Sequence, residues 1–298
     1  MQKDFRGASP SQLDAMSCRM AWHLGYRLGY QSTRLNPALD LGTGVHLGLE
    51  LFYAERRDPV KTFLSWCKER REQINPQWND DINALVELEG LGVVMLDGYK
   101  QRYGDDGGLE VIATEHTLTT PIPNPETGED SEFTLTVRLD GIVRDVDTGK
   151  YFSLEHKTYK RLDTAYFDLN PQFTAQVWAG SDLVTTLGID EPITGVLYNG
   201  LRKQAPGPRV KGDLFFRQKI YKNEDQINAM LFRAYHQCVE VASPDVPIYP
   251  QPNPMRCSYC KFREVCVEWC RGGDYMFLLD NLFTFRTDGR FAPETEVE

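Results

Sequence analysis

The segment 131–158 is predicted to form two β-strands joined by a tight turn, and this hairpin constrains the fold more than any other part of the chain. Val, Ile, Thr, Tyr and Phe are frequent in it, and every second residue from 133 to 139 is apolar, as in a strand with one buried face. Asp147-Thr148-Gly149 supplies the turn. If the hairpin is symmetric about positions 147 and 148, Asp140 lies opposite Glu155.

The two strands carry a group of charged side chains. Residues two apart on a strand share a face, so Glu155 and Lys157 project together while His156 points to the other side. Two carboxylates with a lysine alongside form a hard oxygen site for Mg²⁺ or Mn²⁺, beside a cation that can orient or deprotonate water. This chemistry suits phosphodiester hydrolysis. A solvated cross-strand ion pair is the alternative for Glu-x-Lys alone, and a one-residue slip at Gly149 would turn Asp140 away.

The rest of the chain supplies helices before and after this meander. Apolar residues at helical spacing predict helices near 11–24, 41–57, 60–73, 81–102 and 170–187, and one that includes Ile227 to Cys238. Ser11 with Asp14 is predicted to form the first capping box. Further strands are expected at 109–120, 193–202 and 213–222. This order predicts an α/β (α+β) fold with a central mixed sheet flanked by helices.

Cysteine spacing indicates a second metal site near the end of the chain. Cys257, Cys260 and Cys266 follow the pattern C-x2-C-x5-C, and such short loops let thiolates converge on one metal. Cys270 could complete a local four-cysteine zinc site, because spacing alone does not distinguish zinc from iron–sulfur. Cys67, like Cys238, falls on an apolar helical face and is interpreted as a core residue.

Net charge restricts how the chain could bind nucleic acid. Lys and Arg total 33 against 43 Asp and Glu, which leaves a formal net charge of −10, so overall charge would repel a phosphate backbone. The segment 200–222 is nevertheless basic, with one acid, Asp213, against Arg202, Lys203, Arg209, Lys211, Arg217, Lys219 and Lys222. With Tyr159, Lys160 and Arg161 it predicts a track for a DNA backbone, the alternative being ordinary surface lysines.

Compartment is inferred from what the sequence lacks. No apolar stretch approaches the length of a membrane span, and the first residues have no signal-peptide core. The odd cysteine number also favours a reducing compartment. The sequence therefore predicts a cytoplasmic protein with no membrane partner.

Several motifs together resemble one family, the RecB-like branch of the PD-(D/E)XK nucleases, which includes phage exonucleases and the CRISPR-associated exonucleases. The motifs that carry the resemblance, in order along most of the chain, are Ser11 to Cys18, Gly42 to His46, Leu139-Asp140-Gly141, Glu155-His156-Lys157, Gln172 and the terminal cysteines. Their order and distances are more specific than any single motif.

The resemblance implies a PD-(D/E)XK, restriction-endonuclease-like core within a single nuclease domain over 1–298. Residues 1–105 would form a helical part with Cys18 and His46, 106–242 the nuclease core, and 243–298 the cysteine cluster and tail. In this family a distant cysteine completes a 4Fe-4S cluster, so Cys18 would join the three clustered cysteines and tie the two chain ends together. Zinc with Cys270 stays the alternative.

The resemblance also implies roles for the charged residues. His46, Asp140 and Glu155 would bind the divalent metal together with the main-chain carbonyl of His156, and Lys157 would position the attacking water. Gln172 would contact DNA or the active site. The family pattern there is Gln-x-x-x-Tyr, whereas this chain has glutamine at position 176.

The function expected from these features is a metal-dependent deoxyribonuclease, an exonuclease acting on single-stranded or unwinding DNA in recombination, repair or phage replication. A helicase or recombinase partner would fit that role. Two alternatives remain open at this point. One is a non-catalytic DNA-binding or scaffold protein with a structural cysteine site, and the other is a nuclease that processes CRISPR spacers.

Overall fold

The computed structural model describes residues 5–104, 106–181, 183–189, 191–208 and 211–286. Arg209 of the basic segment lies outside the described residues, as does the end of the predicted 243–298 segment. The chain divides into two compact units, each built from separated stretches. The first unit contains Met1–Arg34, Ile122–Thr134 and Arg233–Glu298, and the second contains Leu35–Pro121 and Leu135–Phe232.

Groups of helices and groups of strands follow one another along the chain. The helices are α1 (Pro10–Ala15), α2 (Arg19–Trp22), α3 (Pro37–Glu55), α4 (Pro59–Gln73), α5 (Asn79–Tyr103), α6 (Pro171–Gly180), α7 (Leu183–Leu187), α8 (Glu224–Ala242), α9 (Pro254–Tyr259), α10 (Arg263–Arg271) and α11 (Tyr275–Leu282). The strands are β1 (Gly7–Ala8), β2 (Tyr30–Ser32), β3 (Leu109–Pro123), β4 (Asp130–Asp145), β5 (Tyr151–Tyr159), β6 (Gly195–Arg202), β7 (Phe215–Tyr221) and β8 (Phe283–Phe285). The described residues also include a π-helical turn at His23–Arg27 and a 3₁₀ turn at Thr164–Tyr166.

The second unit is built on a mixed sheet, which confirms the predicted α/β architecture. β4 pairs antiparallel with β5, β5 pairs parallel with β6, and β6 pairs antiparallel with β7. β3 pairs with the other side of β4. Parallel neighbours cannot be joined by a tight turn, and here α6 and α7 make the connection between β5 and β6.

The β4–β5 hairpin has the symmetric register expected from its turn. Gly141 is opposite Leu154 and Arg144 is opposite Tyr151, and the Asp145 main-chain N–H donates to the carbonyl of Lys150. Gly149 has φ 72°, a left-handed conformation that glycine adopts at little cost. The turn therefore introduces no register slip in the paired residues.

The sheet of the second unit is covered on both faces. Phe152 and Leu154 of β5 belong to a buried cluster with side chains of α3, α4 and α5. On the opposite face, Phe173 of α6 packs with Val196 and Tyr198 of β6. Because β5 carries helices on both of its faces, its first six residues are all buried.

Three helices of this unit, α3, α4 and α6, start by the same local rule. Asn36, Asp58 and Asn170 each cap a helix with their side-chain oxygen, and each is followed by proline at the first helical position. Proline loses nothing there because the first helical N–H has no partner within the helix. Close packing of α4 and α5 depends on Gly92, where an added Cβ would lie 2.1 Å from Phe63 Cζ.

The first unit contains a small antiparallel pair and short helices. Tyr30 of β2 is opposite Phe285 of β8. Met20, Leu24 and Phe262 are among the side chains of its buried cluster. The predicted capping box at Ser11 is wrong. Helix α1 begins at Pro10 and is capped by Ser9, whose hydroxyl accepts from the main-chain N–H of Gln12, because proline at the first position sets the cap one residue earlier.

No helix within the described ranges combines the length and the apolarity required to cross a bilayer.

Candidate active site

Asp140 lies at the point where the β4–β5 pairing ends. Gly141 is the last β4 residue paired with β5, opposite Leu154, so Asp140 and Glu155 are the next residues along the two strands. The carboxylate of Asp140 accepts a hydrogen bond from the main-chain N–H of His156 at 2.8 Å. Its Oδ2 also lies 3.3 Å from Nδ1 of His46, on α3.

Glu155 is the most enclosed acid of the group, with its side chain 1% exposed. The Lys157 ammonium lies 2.5 Å from its Oε1. From α6, Gln172 donates to the same oxygen at 2.9 Å and Gln176 donates to Oε2 at 2.5 Å. Both carboxylate oxygens therefore have donors, as a buried charge requires.

Gln172 links the acid and the lysine. Its amide nitrogen donates to Glu155, and its amide oxygen accepts from Lys157 Nζ at 3.1 Å. Lysine can only donate, so the orientation of this amide is determined by its two partners. The structure thus brings together His46, Asp140, Glu155, Lys157 and Gln172, which the sequence singled out from separate elements.

The pKa values of the acids move in opposite directions. Burial alone would raise the pKa of Asp140, but the hydrogen bond and charge of His46 lower it to about 2. Burial raises the pKa of Glu155, and the nearby Asp140 charge adds to this despite the opposing effect of Lys157. Opposite shifts of neighbouring carboxyls are typical of groups that share one site.

The neighbouring acids raise the pKa values of the two basic groups, His46 and Lys157. Burial would lower the pKa of His46, but its hydrogen bond to Asp140 raises the value above the ordinary one. Burial would likewise lower the pKa of Lys157, and the charge of Glu155 raises it. An isolated imidazole or ammonium in a buried position would shift downwards, so the carboxylates dominate the electrostatics of this site.

Gln176 is the site residue that sequence reasoning passed over. It is fully buried, and its Oε1 has no hydrogen-bond partner among the described residues. The spacing to Gln172 could have predicted this role. Residues four apart share a helix face, and Gln172, already predicted to contact DNA or the active site, lies on the face of α6 that is turned to β5. The family pattern drew attention to the missing tyrosine instead of to the amide in its place.

The donor set suits a hard divalent cation, although the side chains are arranged for hydrogen bonding. Two carboxylates and an imidazole are ordinary ligands for Mg²⁺ or Mn²⁺. No group of three or more His, Cys, Asp or Glu side chains in the described part of the chain has the geometry to hold a metal ion. Glu155 instead faces Lys157 and α6, while Asp140 faces His46 and the His156 N–H. The residue types fit the metal, and Lys157 supplies the positive charge beside Glu155.

The predicted DNA-binding residues adjoin the end of β5. Lys160 and Arg161 are exposed, and Tyr159 is partly buried. The Arg202 guanidinium donates to the carbonyl of Lys211 at 2.6 Å, and Lys203 Nζ donates to the carbonyl of Ala38 at 2.8 Å. Exposure makes Lys160 and Arg161 the cations most available to a phosphate.

The rest of the basic segment is largely engaged within the protein. Arg217 forms an ion pair with Asp106 at 2.8 Å, and Lys219 pairs with Asp145 at 2.6 Å. Lys222 donates to the carbonyls of Phe167 and Asp168. These internal partners make the three cations less available to a phosphate than Lys160 and Arg161, and the phosphate track over 200–222 stays a prediction.

The cysteine residues of the predicted second metal site are all in the first unit, and all are free thiols. Burial raises the pKa of Cys266 to about 12, and the neighbouring charges of Cys260, Cys18, Cys270 and Cys257 add to this. The Sγ of Cys18 accepts from the main-chain N–H of Gln251 at 3.5 Å. The five thiols are therefore neighbours. Within the described ranges, no three of these cysteines have side chains arranged to hold a metal ion.

The remaining two cysteines are in the apolar interior. Cys67 and Cys238 are both 0% exposed, which confirms the interpretation of them as core residues.

Comparison with known proteins identifies a family. The model described as "PD-(D/E)XK nuclease superfamily" matches residues 8–267. A search of curated proteins found no match. Among solved structures, the chain is similar to a crystal structure from Eubacterium rectale described as "Putative exonuclease", with 10% identity and a TM-score of 0.43 over 85% of this chain and 92% of that chain.

Proposed function

Because this chain belongs to the PD-(D/E)XK nuclease superfamily, we propose that it is a divalent-metal-dependent deoxyribonuclease that degrades DNA from its ends. The observation that carries the proposal is the approach of Lys157 Nζ to within 2.5 Å of Glu155 Oε1, beside the carboxylate of Asp140. Acid, acid and ammonium at adjoining strand positions are what metal-assisted phosphodiester hydrolysis needs.

Asp140, Glu155 and His46 are proposed as the metal ligands, with the main-chain carbonyl of His156 as a further one. A bound Mg²⁺ or Mn²⁺ would supply Lewis-acid stabilisation of the charge on the phosphate. The lowered pKa of Asp140 keeps this carboxylate ionised at neutral pH and so available to a cation. His46 holds that carboxylate in place from α3.

Lys157 is proposed to orient the attacking water and to stabilise negative charge on the phosphate. Its ammonium is held between Glu155 and the amide oxygen of Gln172, and its side chain is 37% exposed, so it can reach both the acids and a substrate. Preorganised charge of this kind costs no rearrangement during the reaction. Gln172 is the positioning residue for Lys157.

DNA is the proposed substrate, and its path is proposed to pass the exposed cations after β5. Lys160 and Arg161 follow the catalytic lysine by three and four residues and are both exposed. Tyr159 offers a ring on which a base could stack. Arg202 at the end of β6 and Lys203 directly after it would extend this contact. A role in recombination, repair or phage replication, with a helicase or recombinase partner, follows the same family resemblance.

The cysteine residues are proposed to hold a 4Fe-4S cluster with a structural role. Cys18 is buried whereas Cys270 is exposed. Burial is the main cause of the raised pKa of both Cys260 and Cys266; Cys18 adds to it at both thiols, and Cys270 adds to it at Cys266 alone. These facts favour Cys18 over Cys270 as the fourth ligand. Absorbance near 400 nm in the purified protein would be expected of iron–sulfur, and a colourless protein that contains zinc would contradict the proposal.

End-dependent degradation is tested with two forms of one DNA sequence. The protein is incubated with Mn²⁺ and an end-labelled linear single strand, and in parallel with the covalently closed circle. We expect the linear strand to shorten and the circle to survive. Cleavage of the circle would contradict the exonuclease assignment. Retention of both DNAs without cleavage under Mg²⁺ or Mn²⁺ would support the non-catalytic DNA-binding alternative.

A further inference from the structure

Three polar residues form a row across the central sheet, on the face opposite Glu155 and Lys157. His156 of β5 is the register partner of Asn199 on β6, and Asn199 is the register partner of Arg217 on β7. His156 is 2% exposed and Asn199 is 0% exposed. Such a row within a buried sheet face needs complete hydrogen bonding to be tolerated.

The orientation of Asn199 is determined by Arg217. The guanidinium donates from Nε to Asn199 Oδ1 at 3.2 Å, and a guanidinium has no acceptor, so the amide oxygen must face it. The amide nitrogen then faces His156 Nδ1, at 2.7 Å. Since this nitrogen is a donor, Nδ1 of His156 is an acceptor and a neutral ring carries its proton on Nε2.

The hydrogen bonds of the Tyr99 and Tyr53 hydroxyl groups, which continue from this row, also have determined donors and acceptors. Tyr99 accepts from Asn199 Nδ2 at 2.8 Å and from Arg217 at 2.9 Å. With both acceptor positions used, Tyr99 donates to Tyr53, whose oxygen is 2.5 Å away. Tyr53 in turn donates to Asp106 at 2.5 Å. The donor and acceptor in each hydrogen bond from Asn199 through Tyr99 and Tyr53 to Asp106 are therefore determined.

Asp106 and Arg217 close the network. The guanidinium binds both carboxylate oxygens of Asp106, at 2.8 and 2.9 Å, which is the planar two-point contact that arginine makes best. Asp106 has φ 55°, a conformation that residues other than glycine rarely adopt. The ring of Tyr53 also stacks on His156, with centroids 5.5 Å apart.

The end of this network touches the active site through the main chain. The His156 N–H donates to Asp140, and residues 155 and 157 on either side of it carry the acid and the lysine. Asn199 and Tyr53 hold the His156 ring. Because the ring is attached to β5, displacement of the ring would displace the main chain at residues 155–157. The network thus holds β5 at the position where Asp140 meets it.

We propose that Asn199, Arg217, Tyr99, Tyr53 and Asp106 form a positioning network that locks the His156 ring in its Nε2-protonated form and thereby aligns Glu155, Lys157 and Asp140. Asn199 is its central positioning residue. The proposal rests on the nuclease function proposed above, because alignment matters only if these three residues act on one substrate.

The test compares wild type with Asn199→Asp. The new carboxylate still accepts from Arg217 but has no donor for His156, so the His156 proton must move to Nδ1. Nitrogen-15 NMR of the metal-free protein reports this directly, with His156→Gln used to assign the His156 signals among those of the five histidines. We expect wild type to show an unprotonated Nδ1 at His156 and the variant to show a protonated one.

Kinetics supply the second measurement. We expect Asn199→Asp to lower kcat by about tenfold or more, as loss of groups that orient active-site ligands does, with little change in KM for DNA. If that variant does not fold, Tyr99→Phe tests the same network by removing one hydroxyl. Tyr103→Phe is the matched control, because Arg217 stacks on the Tyr103 ring at 3.9 Å and the ring is retained.

Two outcomes would overturn the proposal. One is a protonated Nδ1 at His156 in wild type, and the other is an unchanged kcat in a folded Asn199→Asp or Tyr99→Phe variant. Failure of the nuclease function itself looks different, since wild type would then leave DNA intact while the NMR result could still match the predicted tautomer. In that case the positioning proposal falls with the function on which it rests.

Discussion

Gln176 donates a hydrogen bond from Nε2 to Oε2 of Glu155 at 2.5 Å, in the position where the family pattern has a tyrosine. The amide holds one oxygen of the acid while Lys157 and Gln172 hold the other. The glutamine at this position supplies an amide donor, so both oxygens of the buried carboxylate have partners.

Gln176→Leu should weaken metal use by the site. Without this donor the ionised form of Glu155 loses stabilisation, so its pKa rises further above the ordinary value. We expect the Mn²⁺ concentration for half-maximal activity to rise by about tenfold, as for other residues that support metal ligands. A Mn²⁺ titration of DNA degradation measures it. The exposed Gln218→Leu is the control, and equal Mn²⁺ requirements in both variants would contradict the role given to Gln176.

Asp145→Asn should destabilise the hairpin at neutral pH and not in acid. The hydrogen bonds from Lys219 and then Thr148 lower the pKa of Asp145 below its usual 3.8. A carboxyl with a lowered folded-state pKa stabilises the fold above its unfolded pKa, and this contribution is lost as the pH falls through the folded value. We expect a loss of about 1 kcal/mol at pH 7, allowing for solvent screening.

Urea unfolding at pH 7 and at about pH 3 tests the Asp145 prediction, since the acid value lies below the unfolded pKa. The difference between variant and wild type should shrink at the lower pH. Asp147→Asn, exposed in the same turn, should match wild type at both values. A difference that stays constant with pH would show that the charge of Asp145 is not its source.

Helix starts show how much of the fold the sequence could predict. The helices predicted at 41–57, 60–73 and 81–102 correspond to α3, α4 and α5, which begin four, one and two residues earlier. Periodicity finds where a helix packs, but its first residues are set by caps. The Asn36-Pro37 and Asp58-Pro59 pairs carried that information, since proline at the first helical position follows a capping side chain.

The hairpin was predictable because its register depends on local sequence. A two-residue period and one turn determine which residues lie opposite each other, and the structure confirms this with Gly141 opposite Leu154. The role of Arg217 was not predictable in the same way. Its partner Asp106 is 111 residues away in sequence, and nothing in the local pattern separates a buried guanidinium from a surface one.

Single cysteine replacements should separate the two candidate sets of ligands. If Cys18 is the fourth ligand, Cys18→Ser and Cys266→Ser should reduce the iron content of the purified protein while Cys270→Ser leaves it unchanged. Cys67→Ala, which changes a thiol of the second unit, is the control. Metal analysis by mass spectrometry measures iron and zinc together. Loss of metal in Cys270→Ser with none in Cys18→Ser would favour the local zinc site.

The most direct test of the account is DNA degradation by Asp140→Asn and Lys157→Ala. Matched controls are Asp147→Asn, on the same hairpin, and Lys68→Ala on α4, both exposed residues. With Mn²⁺ and an end-labelled linear strand, we expect the two site variants to lose activity by about a thousandfold, the size of effect that removal of preorganised charge can reach. The controls should degrade DNA at the wild-type rate. Wild-type degradation by folded Asp140→Asn and Lys157→Ala proteins would contradict the account.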